Sequence, residues 1–277
     1  MEPIEFTKMH GIGNDFVVID ARARAFDVTA ERAKAIADRN QGIGCDQLIL
    51  IEAGRDEHAD AFMRILNADG SEVEACGNAT RCVASVLMAE NNRTHVIIET
   101  RAGLLDAEAS DDGLITVDMG PARLDWRDIP TSEAIDTLHL GIGSGDLLDP
   151  VGINVGNPHA VFFVDNTKAV DLAVHGPALE HHKMFPEFAN IGVAEIVSET
   201  EIRLRVWERG VGETKACGSG ACAALVAANR RGLTGRTADV VLPGGTLQIE
   251  WMADGNVAMT GPVAVSYSGV IDPSLLG

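Results

Sequence analysis

Two short stretches carry residues that could do chemistry: Glu74-Ala75-Cys76-Gly77-Asn78 and Lys215-Ala216-Cys217-Gly218-Ser219, each a Cys-Gly step followed by small apolar residues. Their surroundings also match. Met63-Arg64-Ile65-Leu66-Asn67 aligns with Leu204-Arg205-Val206-Trp207-Glu208, so that Asn67 and Glu208 each stand nine residues before a cysteine, and Glu72 falls in register with Glu213. A repeat of that length marks two related halves, each presenting one thiol at the start of a helix. There, unpaired N–H groups and the positive helix end favour a thiolate and can hold a carboxylate. Two such ends acting on one ligand would invert a stereocentre: one thiolate removes the α-proton while a thiol on the other face delivers one. Cysteine suits both roles, since its ordinary pKa of about 8.5 can be brought toward neutrality. Amide donors aimed at the carboxylate are the available stabilisers of the carbanion, and Gly77 and Gly218 leave room for that approach. The competing reading is a buried core thiol, the usual fate of free cysteine. Cys82 and Cys222, inside the helices, keep that reading, and Cys45 stays open between the two.

The elements that must position these thiols can be read from the pattern. Residues 4–8 alternate, a glycine turn follows at Gly11-Ile12-Gly13-Asn14, and Phe16-Val17-Val18-Ile19 reads as a strand. Asp27 and Thr29 can cap a helix over 30–39. Strands are expected at 47–52 and 61–66, then a helix over 77–91, then hairpins turning at Arg101-Ala102-Gly103 and Asp111-Asp112-Gly113. The second half repeats the plan: a strand at 160–164, a short helix near Asp171, strands at 191–197 and 202–207, and a helix over 218–231 stopped by Gly232. Ala221 to Ala228 are apolar all round and mostly small, which predicts a helix buried on every side. The expected class is therefore α+β, a sheet curled around a central helix, built twice. Gly141-Ile142-Gly143-Ser144-Gly145 lacks the spacing of a nucleotide loop and reads as a plain loop.

Composition narrows the partners. The 277 residues suit two domains of about 120 to 140 residues each. A net charge of −19 argues against nucleic acid and anionic membrane surfaces. No secretory segment and no membrane-spanning run is read, so a cytoplasmic protein is expected. Five cysteines, an odd number, are not expected to form structural disulfides, and their spacing suggests no metal site.

Several long motifs in order now bear on family. They are Lys8-Met9-His10-Gly11-Ile12-Gly13-Asn14-Asp15-Phe16, and Asn67-Ala68-Asp69-Gly70-Ser71-Glu72 leading to Cys76-Gly77-Asn78. In the second half they are Gly156-Asn157-Pro158-His159, Ala189-Asn190-Ile191-Gly192, and Trp207-Glu208-Arg209-Gly210 leading to Cys217-Gly218-Ser219-Gly220. Over nearly its whole length the sequence resembles the diaminopimelate epimerases, cofactor-independent isomerases of bacterial lysine and cell-wall precursor synthesis. The resemblance implies that Cys76 and Cys217 are the acid/base pair, with His159 and Glu208 tuning them. It implies substrate contacts from Asn14, Gln47, Asn67, Gly77, Asn78, Asn157, Asn190, Glu208, Arg209, Gly218 and Ser219. It implies no cofactor, a homodimer, and two pseudo-symmetric, barrel-like, mainly antiparallel domains: 1–120, joined by a returning 263–277, and 121–262. The sequence departs from the usual pattern at Ala75 and at Ala79, where glycine is common; neither change removes a catalytic atom. Related proline-type racemases usually carry histidine where this chain has Asn78.

Overall fold

In the computed structural model of the protein, which describes residues 3–276, strand after strand has one face buried and one exposed, as in His95–Thr100, Thr237–Leu242 and Gly245–Trp251. That alternation is what a sheet with a single covered face produces. The chain divides into two compact units, one formed by residues up to Val117 together with those from Gly261 on, the other by Asp118–Thr260.

In the first unit the order is β1 (Ile4–Gly11), β2 (Asn14–Asp20), α1 (Ala30–Ala37), β3 (Gln47–Glu52), β4 (Ala61–Asn67), β5 (Glu72–Val73), α2 (Gly77–Asn91), β6 (His95–Thr100), β7 (Gly103–Ala109) and β8 (Ile115–Pro121). In the second it is β9 (Gly143–Ser144), β10 (Leu147–Leu148), β11 (Val151–Asn154), β12 (Pro158–Phe163), α3 (Leu172–Glu180), β13 (Asn190–Ser198), β14 (Glu201–Glu208), β15 (Gly212–Thr214), α4 (Gly218–Arg230), β16 (Thr237–Leu242), β17 (Gly245–Trp251) and β18 (Asn256–Gly261). A last strand, β19 (Ala264–Ile271), belongs to the first unit.

The pairings of the two units correspond one for one. β1–β2, β3–β4, β4–β5, β6–β7 and β7–β8 are antiparallel, as are β11–β12, β13–β14, β14–β15, β16–β17 and β17–β18. β2–β3 and β4–β6 are parallel, as are β12–β13 and β14–β16. The matched charges of the repeat find their purpose here. Arg64 lies 3.4 Å from Glu72 across β4–β5, and Arg205 makes a two-pronged pair with Glu213 across β14–β15, bracing the hairpin that leads to each cysteine. The closing strands are exchanged: β19 pairs with β1 in the first unit, and in the second the end of β8 runs beside β18, where Asn256 Nδ2 donates to Asp118 Oδ2 at 2.8 Å.

Each sheet bends around one helix. α2 packs against β1, β2, β6 and β7, and α4 against β11 to β14, β16 and β17. From Gly220 to Ala228 α4 is wholly buried, the consequence of its all-round apolar surface. A second helix covers the outer face of two strands in each unit: Ala33, Ile36 and Ala37 of α1 lie on Val17, Ile19, Leu48 and Leu50, while Leu172 and Leu179 of α3 lie with Ala160, Phe162, Ile191 and Val193. Those strands are therefore buried on both faces.

Small differences from the sequence reading have local causes. Thr29 caps α1 by accepting from Arg32 N, but the helix ends at Ala37, because the Asp38 carboxylate takes the N–H groups of Asn40 and Gln41 instead. The expected glycine loop at 141–145 contains a two-residue strand, since Gly143 and Ser144 pair with Leu148 and Leu147 around the Gly145 turn. The first strand runs on to Gly11, leaving a two-residue turn at Ile12 and Gly13.

One contact in the second unit has a measurable consequence. A Cβ on Gly176 of α3 would lie 2.4 Å from Trp207 Cδ2, and that indole is fixed because its Nε1 donates to the buried Glu180 Oε2 at 2.7 Å. Glu180 Oε1 accepts from Gly210 N, so one carboxylate clamps both ends of Trp207 to Gly210. Gly176→Ala is expected to lower unfolding stability by about 1–3 kcal/mol through overpacking, read from urea denaturation.

Candidate active site

The strand order gathers polar residues at one end of each sheet. Asn14 opens β2, Gln47 opens β3, Asn67 ends β4, and Cys76 is the N-cap of α2. Because β2 and β3 are parallel and β4 antiparallel, with Gln47 opposite Asn67, these positions share an edge. In the second unit Asn157 precedes β12, His159 is its second residue, Asn190 opens β13, Glu208 ends β14, and Cys217 is the N-cap of α4. The spacing of nine residues is thus the length of a strand end, a hairpin and a helix start.

In the first unit Cys76 is half-buried and makes no capping bond to its own helix. Its Sγ donates to Asn14 Oδ1 at 3.8 Å, and Asn78 Nδ2 donates to the same oxygen at 3.3 Å. Asn14 Nδ2 in turn donates to Asp46 Oδ2 at 2.9 Å, and the buried Arg81 donates from Nη2 to Asn78 Oδ1 at 2.8 Å. Beneath lies an ionic group. Burial raises the Asp15 carboxyl, but hydrogen bonds from Arg39 and Lys8 outweigh it and hold the group well below the usual carboxylate range. Gln47 and Asn67 form a separate pair, Gln47 Nε2 donating to Asn67 Oδ1 at 3.0 Å. Gln47 Oε1 is a buried acceptor with no donor among the described residues.

Cys217 in the second unit differs. It is buried, and its Sγ accepts from Gly220 N at 3.4 Å, capping α4, with Ser219 Oγ 3.6 Å away. Burial pushes its thiol well above the ordinary value and the nearby Glu208 carboxylate adds to the rise; the Ser219 and Gly220 donors oppose both without prevailing. A helix N-terminus alone would favour thiolate, so the sequence-based expectation is outweighed here by desolvation and a like charge. Glu208 Oε1 itself accepts from the Thr214 hydroxyl.

His159 is fully buried, and burial, aided by the Arg209 charge, lowers it to about 3, so its imidazole is neutral at physiological pH. Its Nε2 lies 2.8 Å from Asn157 Oδ1 and 3.1 Å from Ser219 Oγ, while Nδ1 has no partner. A bare acceptor is less costly to bury than a bare N–H, which places the proton on Nε2. That single hydrogen goes chiefly to the closer Asn157 Oδ1 and is shared with Ser219 Oγ, which is free to turn its own hydrogen toward Cys217. Asn190 is held by Arg209 N at its oxygen and by Pro158 O at its nitrogen. The exposed Arg209 guanidinium donates from Nη1 to Glu187 O at 2.8 Å.

Each unit thus sets a thiol at the N-cap position of a helix among amides and, in the second, beside a carboxylate and a neutral imidazole. The diaminopimelate epimerase family model matches residues 6–124 and 151–265. A diaminopimelate epimerase of Rhodospirillum centenum is 58% identical over 271 residues, covering 98% of this chain and 93% of the relative. That of Acidiphilium cryptum is 55% identical, covering 98% of this chain and 97% of the relative. The chain belongs to the diaminopimelate epimerase family. It is accordingly an isomerase. Its fold is also that of a hydroxyproline epimerase structure from Agrobacterium vitis, at a TM-score of 0.69 and 15% identity over 98% of this chain and 94% of that one. A predicted epimerase of Pseudomonas aeruginosa gives a TM-score of 0.69 at 18% identity, covering 97% and 99%.

For this member of the diaminopimelate epimerase family, the structure joins Asn14, Cys76 and Asn78 into one group and Asn157, His159, Asn190, Arg209, Cys217 and Ser219 into another. Gly77 and Gly218 are the first residues of their helices. Gln47 and Asn67 bond to each other, while Cys76 bonds to Asn14. Burial pushes Cys82 up to about 12 and Cys45 to about 11, and neither stands at a helix start. Sequence reasoning passed over Asp46, Arg81 and Thr214. A charged Arg81 one turn into an otherwise apolar helix face was the available signal; Asp46 and Thr214 gave none.

Proposed function

We propose that the protein converts LL-2,6-diaminopimelate to the meso isomer without a cofactor, by a two-thiol acid/base mechanism, in the supply of lysine and peptidoglycan precursor. The observation that carries the reading is a Cys-Gly helix start in each of two units with identical strand pairing, in a chain of this family. One thiolate takes the α-proton, the substrate carboxylate shares the carbanion charge with helix N–H donors, and the second thiol protonates the opposite face. One proton is taken and one given, so the pair ends with its protonation states exchanged, and exchange with solvent resets it. In this reading the Gly77, Asn78, Gly218 and Ser219 amides hold the reacting carboxylate. Glu208 and the unpartnered Gln47 Oε1 are acceptors suited to ammonium groups, and Asn67, Asn157, Asn190 and Arg209 read the distal amino acid end. Glu208 and His159 tune Cys217 in opposite ways, one by its charge and the other through Ser219. Assembly as a homodimer and a cytoplasmic location belong to the same proposal.

The test is proton NMR of the reduced protein with LL-diaminopimelate in heavy water, with proline as control. Loss of the α-proton with growth of the meso isomer is expected; exchange of proline alone, or of neither, would overturn the assignment. Arg209→Lys is expected to raise KM for diaminopimelate by about tenfold with a smaller change in kcat, because lysine lacks the planar fork that grips a carboxylate. Initial rates across substrate concentration check it.

A further inference from the structure

The amide that faces Cys76 has no freedom of orientation, and the residues that remove it are Asp46 and Arg81. Arginine has no acceptor, so the Asn78 atom 2.8 Å from Arg81 Nη2 must be oxygen, and Asn78 must turn its NH2 toward Asn14. A carboxylate has no donor, so the Asn14 atom 2.9 Å from Asp46 Oδ2 must be the NH2 group. From either end the result is the same: Asn14 Oδ1, an acceptor, faces the Cys76 sulfur. Each end is itself anchored. Asp46 Oδ2 also accepts from Asp15 N at 3.1 Å, its Oδ1 accepts from Arg39 Nη2 at 2.8 Å, and Asp15 returns the contact by accepting from Asp46 N at 3.2 Å. Arg81 is fully buried on α2 and lies so close to β1 that a Cβ on Gly11 would come 2.9 Å from its Nη2.

We propose that Asp46 and Arg81 are positioning residues that lock the Asn14 and Asn78 amides so that an acceptor, not a donor, meets the Cys76 sulfur in the ligand-free protein. An acceptor there favours the thiol, whereas an amide N–H would favour the thiolate. The lock thereby biases Cys76 toward its less nucleophilic thiol form until a ligand engages Asn14. Its catalytic meaning rests on the two-thiol reading, but the lock itself is tested without substrate.

The experiment is the rate of iodoacetamide alkylation of Cys76 in the ligand-free, full-length protein at about pH 7.5, resolved by peptide mass mapping. The other four cysteines are buried, so the half-buried Cys76 is the accessible thiol. Asp46→Asn gives position 46 a donor as well as an acceptor, leaves only the 3.3 Å contact from Asn78 to oppose rotation of Asn14, and is expected to speed alkylation about threefold to tenfold. Asn14→Asp, isosteric but acceptor-only, is expected to slow it by a similar factor, and Arg81→Lys, which keeps a donor for Asn78 Oδ1, to leave it within about twofold. A merely structural role would move Asp46→Asn and Asn14→Asp in the same direction. Equal or unchanged rates in those two variants, with native near-ultraviolet circular dichroism, overturn the lock. If only one of them folds, the sign of its change alone decides. Loss of diaminopimelate exchange in the wild-type protein would instead overturn the function and leave this result standing.

Discussion

Cys76→Ala and Cys217→Ala are each expected to reduce epimerisation of diaminopimelate by about 10³-fold or more, the scale of a lost general acid or base. Inversion needs a group on both faces of the α-carbon, so neither remaining thiol can complete the reaction alone. Each variant should nevertheless keep part of it. A surviving thiolate can still remove the α-proton on its own side and return a solvent-derived one there, giving deuterium incorporation without inversion. Because the two thiols serve opposite faces, Cys76→Ala and Cys217→Ala should retain exchange with α-carbons of opposite configuration. NMR with LL- and meso-diaminopimelate in heavy water reads both effects at once. Near-normal turnover in either variant would remove that cysteine from the mechanism. Cys82→Ala serves as the comparison, since burial holds that thiol up at about 12.

Stability is expected to fall by about 2 kcal/mol between pH 7.5 and pH 5, with His159 as the cause. The fully buried imidazole is neutral in the native state because burial and Arg209 lower it to about 3, whereas in the unfolded chain it takes up a proton near its ordinary value of about 6.5. The unfolded state therefore binds more protons throughout that interval. The stabilisation is complete above about pH 6.5 and is lost as pH falls toward 3, at roughly 1.4 kcal/mol per pH unit. Asp15 and Asp20 sit below the usual carboxylate range and respond at lower pH than the histidine. Urea denaturation at the two pH values checks the size, and His159→Gln should flatten the dependence. An equal fall in that variant would assign the effect elsewhere.

How much of this was legible in the sequence follows from the kind of interaction involved. The repeat, the helix over Gly77–Asn91 and the all-buried α4 are written in local spacing and side-chain size, and sequence reading found them. The Cys-Gly steps were legible for the same reason. The contrast between the two thiols was not. Cys76 and Cys217 have nearly the same neighbours in the chain, yet one is half-buried beside an amide oxygen and the other buried beside a carboxylate. Those environments are made by residues outside the Cys-Gly steps: Asn14 and Asp46, far away in sequence, for one, and distant His159 with Glu208, nine residues before the cysteine, for the other. Burial of a polar group such as His159 is likewise a tertiary fact, and viewed alone the residue after Pro158 reads as a turn neighbour.

The exchange of closing strands has a consequence for how the chain is made. β1 is synthesised before the second unit, but its partner β19 only after the whole of it, with Ile4 finally opposite Ile271. Until then β1 has one unpaired edge, a row of free N–H and C=O groups of the kind that recruits strands from other chains. The first unit can collapse early around α2 yet cannot seal its sheet during most of translation. Its completion is a late closure over a long loop, and the interval before it is when a crowded nascent chain is exposed to mispairing.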